Sequence, residues 1–307
     1  MNLVAERNRK ARPQHGIGVL WRDYAGRFSW LKALTLAVVC LPGLSLPVAW
    51  ISGTLGPRAL TEVIHGTGQE AVRLLVAALA VTPARAVFNW PRLILIRRML
   101  GLAAGAYALA HFCLYIADQN GVLLHVAGEI VHRFYLTIGF VVLTGLALLS
   151  ATSTEAMMRR MGRRWQQLHR LIYPLAALGL LHFFLQSNSD VTEAALTCGL
   201  FVWLMVWRAV PRRWQRHLLT LALLAPLAGL ATAAIETAWY GLATGVNAAM
   251  VWQANFDLDA DSIWDLDLRP SAWVTLTGLA VFLVALLRRL GPALRRSVKP
   301  PITSTES

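Results

Sequence analysis

The chain has 307 residues, of which 56% are apolar and only 15% charged, and its mean hydropathy is +0.52. That balance excludes an ordinary soluble domain and places the chain among membrane proteins. A formal net charge of +13 would suit nucleic acid, but the way the charge is distributed argues for a different origin.

Apolar runs of roughly 20 residues, the length of a spanning helix, begin near Ala33, Ala71, Met99, Phe134, His169, Thr192, His217 and Ser271. The expected fold is an all-α polytopic membrane protein of about eight transmembrane helices. With the N-terminus placed in the cytoplasm, 25 of the 29 Lys and Arg fall on cytoplasmic segments. Only Arg58, Arg73, Arg133 and Arg269 fall on the other side. Such an excess puts both termini inside. The basic character then reflects topology and contact with the lipid bilayer, and no nucleic-acid partner is expected.

Residues 1–32 are basic and aromatic, with Trp21, Tyr24, Phe28 and Trp30, and read as a short interfacial helix or a plain tail. The first apolar run is too long for a signal-peptide core and lacks a small-residue cleavage site, so it reads as a span. The cysteines at 40, 113 and 198 are scattered within spans and form neither a disulfide framework nor a zinc spacing. Residues 52–71 read as an outer loop carrying His65, and the second span, from Val72, contains Pro83.

The third span holds His111, preceded by the small residues Gly101, Ala103, Ala104, Gly105 and Ala106, which would allow close helix approach or leave room for a flat ligand. The stretch QNGVLLHVAGEIVHRF reads as a short amphipathic surface helix with His125 and His132. After the fourth span an arginine-rich segment leads into the fifth, which carries His169 at its start and His182 deep inside. A basic linker near Pro211 then divides a core, 33–210, from a two-span hairpin, 211–307. The hairpin's outer loop carries Asp257, Asp259, Asp261, Asp265 and Asp267. Ser262 and Leu268 stand where a calcium loop needs glycine and glutamate, so a solvated acidic loop or a docking surface for a basic partner is the better reading.

Depth decides which histidines belong together. His111 lies 13 residues outward from Arg98 and His182 lies 12 outward from Arg170, about 20 Å and about 18 Å at 1.5 Å per residue. Two imidazoles on different helices at one level suit the axial pair of a haem iron. The alternative is that each makes an interhelical hydrogen bond worth ~1 kcal/mol. His169 is roughly 220° around the helix from His182 and lies at the inner edge beside Arg163, Arg164 and Trp165. A second haem ligand, a flavin phosphate contact and a solvated histidine all remain open for it.

The strings HGTG at residue 65, LAHFCLY at His111, YLTIGF after residue 134 and TSTEAMMRRMGRRWQQLHRLIYP resemble one family. It is the haem-binding membrane subunits of bacterial periplasmic methionine sulfoxide reductase systems, within the ferric-reductase-like transmembrane superfamily. The resemblance covers residues 33–210 and implies a six-helix core in the bacterial inner membrane. It also implies a b-type haem, one or two, and FMN as a further cofactor. Electrons would pass from quinol or a flavin reductase to a periplasmic molybdopterin methionine sulfoxide reductase that repairs oxidised envelope proteins. Carried over by position, the outer haem ligands fall on His111 and His182 and the inner one on His169. The catalytic reduction would occur on the partner, so no catalytic residue is expected here.

One departure stands out. Where superfamily oxidases carry a second inner histidine on the third span, this chain has Arg97 and Arg98, which suit a flavin phosphate. Arg97, Arg98, Arg163, Arg164 and Trp165 are therefore candidates for cofactor binding and electron entry, and His65 for the outer face. Competing readings are a transmembrane ferric or cupric reductase and a non-redox membrane scaffold or transporter.

Overall fold

The computed structural model describes residues 21–22, 26–187, 190–257, 265 and 268–297. The tail reading for residues 1–20 and the acids at 259, 261 and 267 lie outside them. The described chain is helical, and its only bridge pairs Arg22 with Phe28 just before the first helix.

Eight long helices carry the fold, as the apolar runs predict, and the chain is a polytopic membrane protein. They are α1 (Trp30–Ile51), α2 (Ala59–Val87), α3 (Ile94–Asp118), α5 (Phe134–Ala151), α8 (Ile172–Gln186), α9 (Thr192–Ala209), α10 (Leu218–Trp239) and α12 (Pro270–Ser297). Short elements join them: α4 (Leu123–His132), α6 (Glu155–Met161), α7 (Arg163–Leu168) and α11 (Ala248–Ala254). Six segments are long and apolar enough to cross a membrane, and α2 and α9 are not among them. Both carry charge within their length, Glu62, Glu70, Arg73 and Arg85 on α2 and Glu193 and Arg208 on α9. They are also interior helices, with eleven buried residues on α2, whereas α1 has no fully buried residue and packs on the core along one side through Leu31 and Val39.

The largest departure from expectation is the start of the second span. Only residues 52–58 of the expected loop 52–71 are a connection: α2 begins at Ala59, twelve residues before the apolar run. His65, Gly66 and Gly68 look like turn residues, yet they sit inside the helix, where the glycines face neighbouring side chains. The surface helix after α3 forms as expected. Leu123, Leu124 and Val131 on α4 stay exposed while Val126 packs inward. Gly162, at φ +54°, breaks the arginine-rich segment into α6 and α7.

The bundle has a basic end, with Arg97, Arg98, Arg163 and Arg164, and an acidic end, with Asp118, Asp190 and Glu193. Its core runs through Leu75, Leu79, Ala104, Leu146 and Ala176, from α2, α3, α5 and α8. Close approach joins α10 to α12 within the hairpin and the hairpin to α9. A Cβ on Gly199 would strike Thr232 and Val274, one on Gly229 would strike Thr275, and one on Gly278 would strike Ala225. Small residues at each level let the backbones meet, as helix packing in lipid requires.

Its acidic end is closed by a buried polar knot. Glu236 is 0% exposed, 2.9 Å from an Arg269 guanidinium nitrogen. It also accepts from Asn255 at 2.9 Å. The three cysteines are free.

Candidate functional site

The matched depths bring His111 on α3 and His182 on α8 together, with ring centroids 6.5 Å apart and planes at 82°. Each ring is anchored by a third party. His111 Nδ1 lies 2.8 Å from the Ile64 carbonyl oxygen on α2, and His182 Nδ1 lies 2.9 Å from the Tyr135 carbonyl oxygen on α5. A carbonyl only accepts, so both Nδ1 atoms donate a proton and both Nε2 atoms keep a lone pair. The interhelical hydrogen bond and the metal-ligand reading are therefore compatible, because they use different nitrogens.

The spacing suits an axial pair. A nitrogen about 2.0–2.1 Å from a metal, with the ring centre about 1.1 Å further on, puts two opposed imidazoles about 6.3 Å apart, centre to centre.

Glycines make the room. A Cβ on Gly68 would lie 2.9 Å from His111 Nδ1, and one on Gly139 would lie 2.7 Å from His182 Cε1. Only glycine lets each ring lie so close to the neighbouring backbone. These are the glycines of the HGTG and YLTIGF strings, and their role depends on helix rotation, which spacing alone did not reveal. The small run Gly101–Ala106, expected to accommodate a flat ligand, does not do so. Gly105 faces Ser150, Ala104 is packed in the core at 0% exposure, and none of the run lines the cavity. The run sits about one and a half to three turns short of His111 toward the basic end.

Both histidines line one cavity of about 470 Å³, within the usual ~300–1,000 Å³ of cofactor pockets. Toward the basic end its walls are apolar, with Leu75, Val142 and Leu146, and Gly179 adds space on α8. Toward the acidic end the rim is polar, with Gln69, Asp118, Gln186, Asp190 and Glu193. His65, expected on a loop, is an exposed residue of α2 that lines the same rim. The Asp190 carboxylate is held below the usual range because it accepts from the Thr192 backbone N–H at 3.0 Å.

His169 stands apart, at the basic end. It stacks on Trp165 at 4.0 Å and 27°, and its Nε2 lies 3.2 Å from Thr152 Oγ1. That hydroxyl spends its own proton on the carbonyls of Leu148 and Leu149, so it accepts from His169 Nε2–H. Trp165 Nε1 donates to the Thr152 carbonyl at 2.9 Å. Arg97 lies within electrostatic reach of the His169 ring, while Arg98, Arg163 and Arg164 are exposed. No group of three or more metal-ligating side chains occurs among the described residues.

Two charged networks were not expected from the sequence. Arg208 reaches from α9 to the Leu79 carbonyl at 2.5 Å, bonds the Leu204 carbonyl at 2.8 Å and lies over Tyr173. Arg73 on α2 bridges Glu70 at 2.7 Å and Glu193 of α9 at 2.8 Å.

The description "Ferric reductase like transmembrane component" matches residues 67–180. A protein-methionine-sulfoxide reductase heme-binding subunit MsrQ from Xanthomonas oryzae pv. oryzae is 41% identical over 182 residues, covering 58% of this chain and 84% of its own. One from Rhodospirillum rubrum is 36% identical over 203 residues, covering 64% and 93%. The chain belongs to the family of protein-methionine-sulfoxide reductase heme-binding subunits. The matched ferric-reductase-like stretch contains Gly68, His111, Gly139 and His169 and stops two residues before His182. Much of the hairpin therefore lies beyond what defines the family. No solved structure matches the chain.

Proposed function

We propose that this MsrQ-family chain holds a b-type haem between Nε2 of His111 and Nε2 of His182 and relays electrons across the bacterial inner membrane. The observation that carries the reading is the paired anchoring of the two rings. Each Nδ1 is spent on a carbonyl, and the rings stand 6.5 Å apart on one cavity. Two strong axial ligands leave no open position, so a group held this way supplies one-electron chemistry and does not bind oxygen. The apolar walls exclude water from the macrocycle. Gln69, Gln186, His65 and Ser187 on the rim are the hydrogen-bonding partners for its carboxylates.

Electrons enter at the basic end, near His169, Trp165 and Arg97, from quinol or a flavin donor. FMN or a second haem would be the inner cofactor in this reading, with Arg98, Arg163 and Arg164 as partners for the phosphate of FMN. They leave at the acidic end for a periplasmic molybdopterin methionine sulfoxide reductase, which repairs oxidised envelope proteins. With both termini cytoplasmic, the membrane potential favours that direction by at most ~2.3 kcal/mol per electron per 100 mV. Residues 33–210 form the haem core, and 211–307 form an appended hairpin that braces α9.

A second reading is supported by the acidic rim. Asp118, Asp190 and Glu193 would attract external ferric or cupric ions to the exit. Purified protein decides among the readings. A reducible b-type absorption spectrum that disappears in His111→Ala and His182→Ala supports the haem assignment, and a spectrum that survives both removes it. Co-purification of a molybdopterin protein supports the first reading. Reduction of ferric chelate without one supports the second. A colourless protein leaves only a membrane scaffold or transporter.

A further inference from the structure

We propose that the Arg73–Glu70–Glu193 triad sets the reduction potential of the group held by His111 and His182. The inference rests on the haem reading above and concerns residues that play no part in holding the iron. Arg73 is the fifteenth of the 29 residues of α2, just before the apolar run 74–81, and its side chain is 43% exposed. Its side chain reaches the acidic end and pairs with two carboxylates. Glu70 lies one turn earlier on α2, and Glu193 sits at the start of α9. Glu193 lines the cavity that holds both histidines, and so does Val72, the residue before Arg73. No lysine or arginine is among the described residues that line the cavity; Arg73 is ion-paired directly to the rim carboxylate of Glu193, while Arg269 acts at longer range on Asp190.

The charge count gives the sign. Iron in a porphyrin between two neutral imidazoles bears one net positive charge when oxidised and none when reduced, after gaining one electron. The triad contributes two negative charges and one positive. Removing the positive charge stabilises the oxidised form and lowers the potential, whereas removing either negative charge raises it. A unit charge roughly 10 Å from a redox centre, at an effective dielectric of about 20, changes the reduction constant by about tenfold. A brace that only ties α2 to α9 would not produce shifts of opposite sign.

The test is an equilibrium redox titration of the full-length protein in detergent, followed at its own haem absorption bands. Arg73→Gln should lower the one-electron reduction constant about tenfold, about 59 mV, and Glu193→Gln should raise it by the same amount. Glu70→Gln should also raise it, and the double variant R73Q/E193Q should return close to the parental value. Shifts of one common sign, or constants for Glu193→Gln and Glu70→Gln indistinguishable from the parent, would overturn the proposal. If Arg73→Gln fails to accumulate, the two carboxylate variants decide alone. Parental protein without haem bands defeats the functional reading and this inference together; bands with unmoved potentials defeat this inference only.

Discussion

Gly139 and His182 are in such close register that a Cβ on the glycine would lie 2.7 Å from the imidazole Cε1. A methyl group there must push the ring off its position, and the ring is already fixed by the Tyr135 carbonyl. Gly139→Ala, and Gly68→Ala opposite His111, should each strip most of the haem from protein that still inserts into the membrane. Gly101→Ala is the control, since nothing lies within 4 Å of its added Cβ. The haem-to-protein ratio of purified material checks all three.

His169 should behave differently from the pair. Its Nε2 is committed to Thr152 and its ring to Trp165. His169→Ala should therefore retain the absorption spectrum of the haem between His111 and His182 while slowing its reduction by added quinol. A stopped-flow trace against the unaltered spectrum checks this. A lost spectrum would make His169 a ligand of the main haem.

How the sequence foretold this site is instructive. The histidine pair was legible because helical rise is constant, so residue counts from the flanking arginines give depth directly. The glycines that admit the rings were not, because which face they present depends on helix rotation and on a partner helix. For the same reason the small residues before His111 were credited with room they do not provide. The start of α2 was hidden by a stretch, GPRALTEVIHGTG, whose glycines and charges imitate a loop. From Ala59 onward those residues are helical because the helix packs them against α1 and α3, with Gly66 facing Leu46 and Gly68 facing His111.

The polar knot of the hairpin predicts a stability effect. Arg269→Gln would leave Glu236 fully enclosed without its cation, a change that typically costs about 3–5 kcal/mol. Arg269 itself is about a third exposed, so the lower end of that range is expected. The double variant E236Q/R269Q should recover part of the loss. Thermal unfolding in detergent, compared across the three proteins, measures it.

Arg208 predicts a smaller loss of the same kind. Arg208→Met leaves the Leu79 carbonyl without the donor it has at 2.5 Å, and an unmatched buried acceptor costs about 1–3 kcal/mol. Haem content should be unchanged while the melting temperature falls.

Asp190 carries a pH signature. The Thr192 N–H holds its carboxyl below the usual range, so the folded state prefers the ionised form more than the unfolded state does. The stabilisation is present above the ordinary aspartate range of about 3.9 and fades as pH falls through the lowered value. The parental protein should accordingly be more stable than Asp190→Asn near neutrality, and the two should converge in acid. Melting temperatures at both pH values test the convergence.

Each imidazole at the centre of this bundle hangs from one helix and is bolted to another, His111 from α3 to α2 and His182 from α8 to α5. In the proposed reading, four helices would thus hold a gap that needs no adjustment when an iron bound there changes valence. Little nuclear rearrangement means a low barrier to each hop, so the traffic through such a centre is limited by how near its neighbours stand rather than by any movement of its own walls.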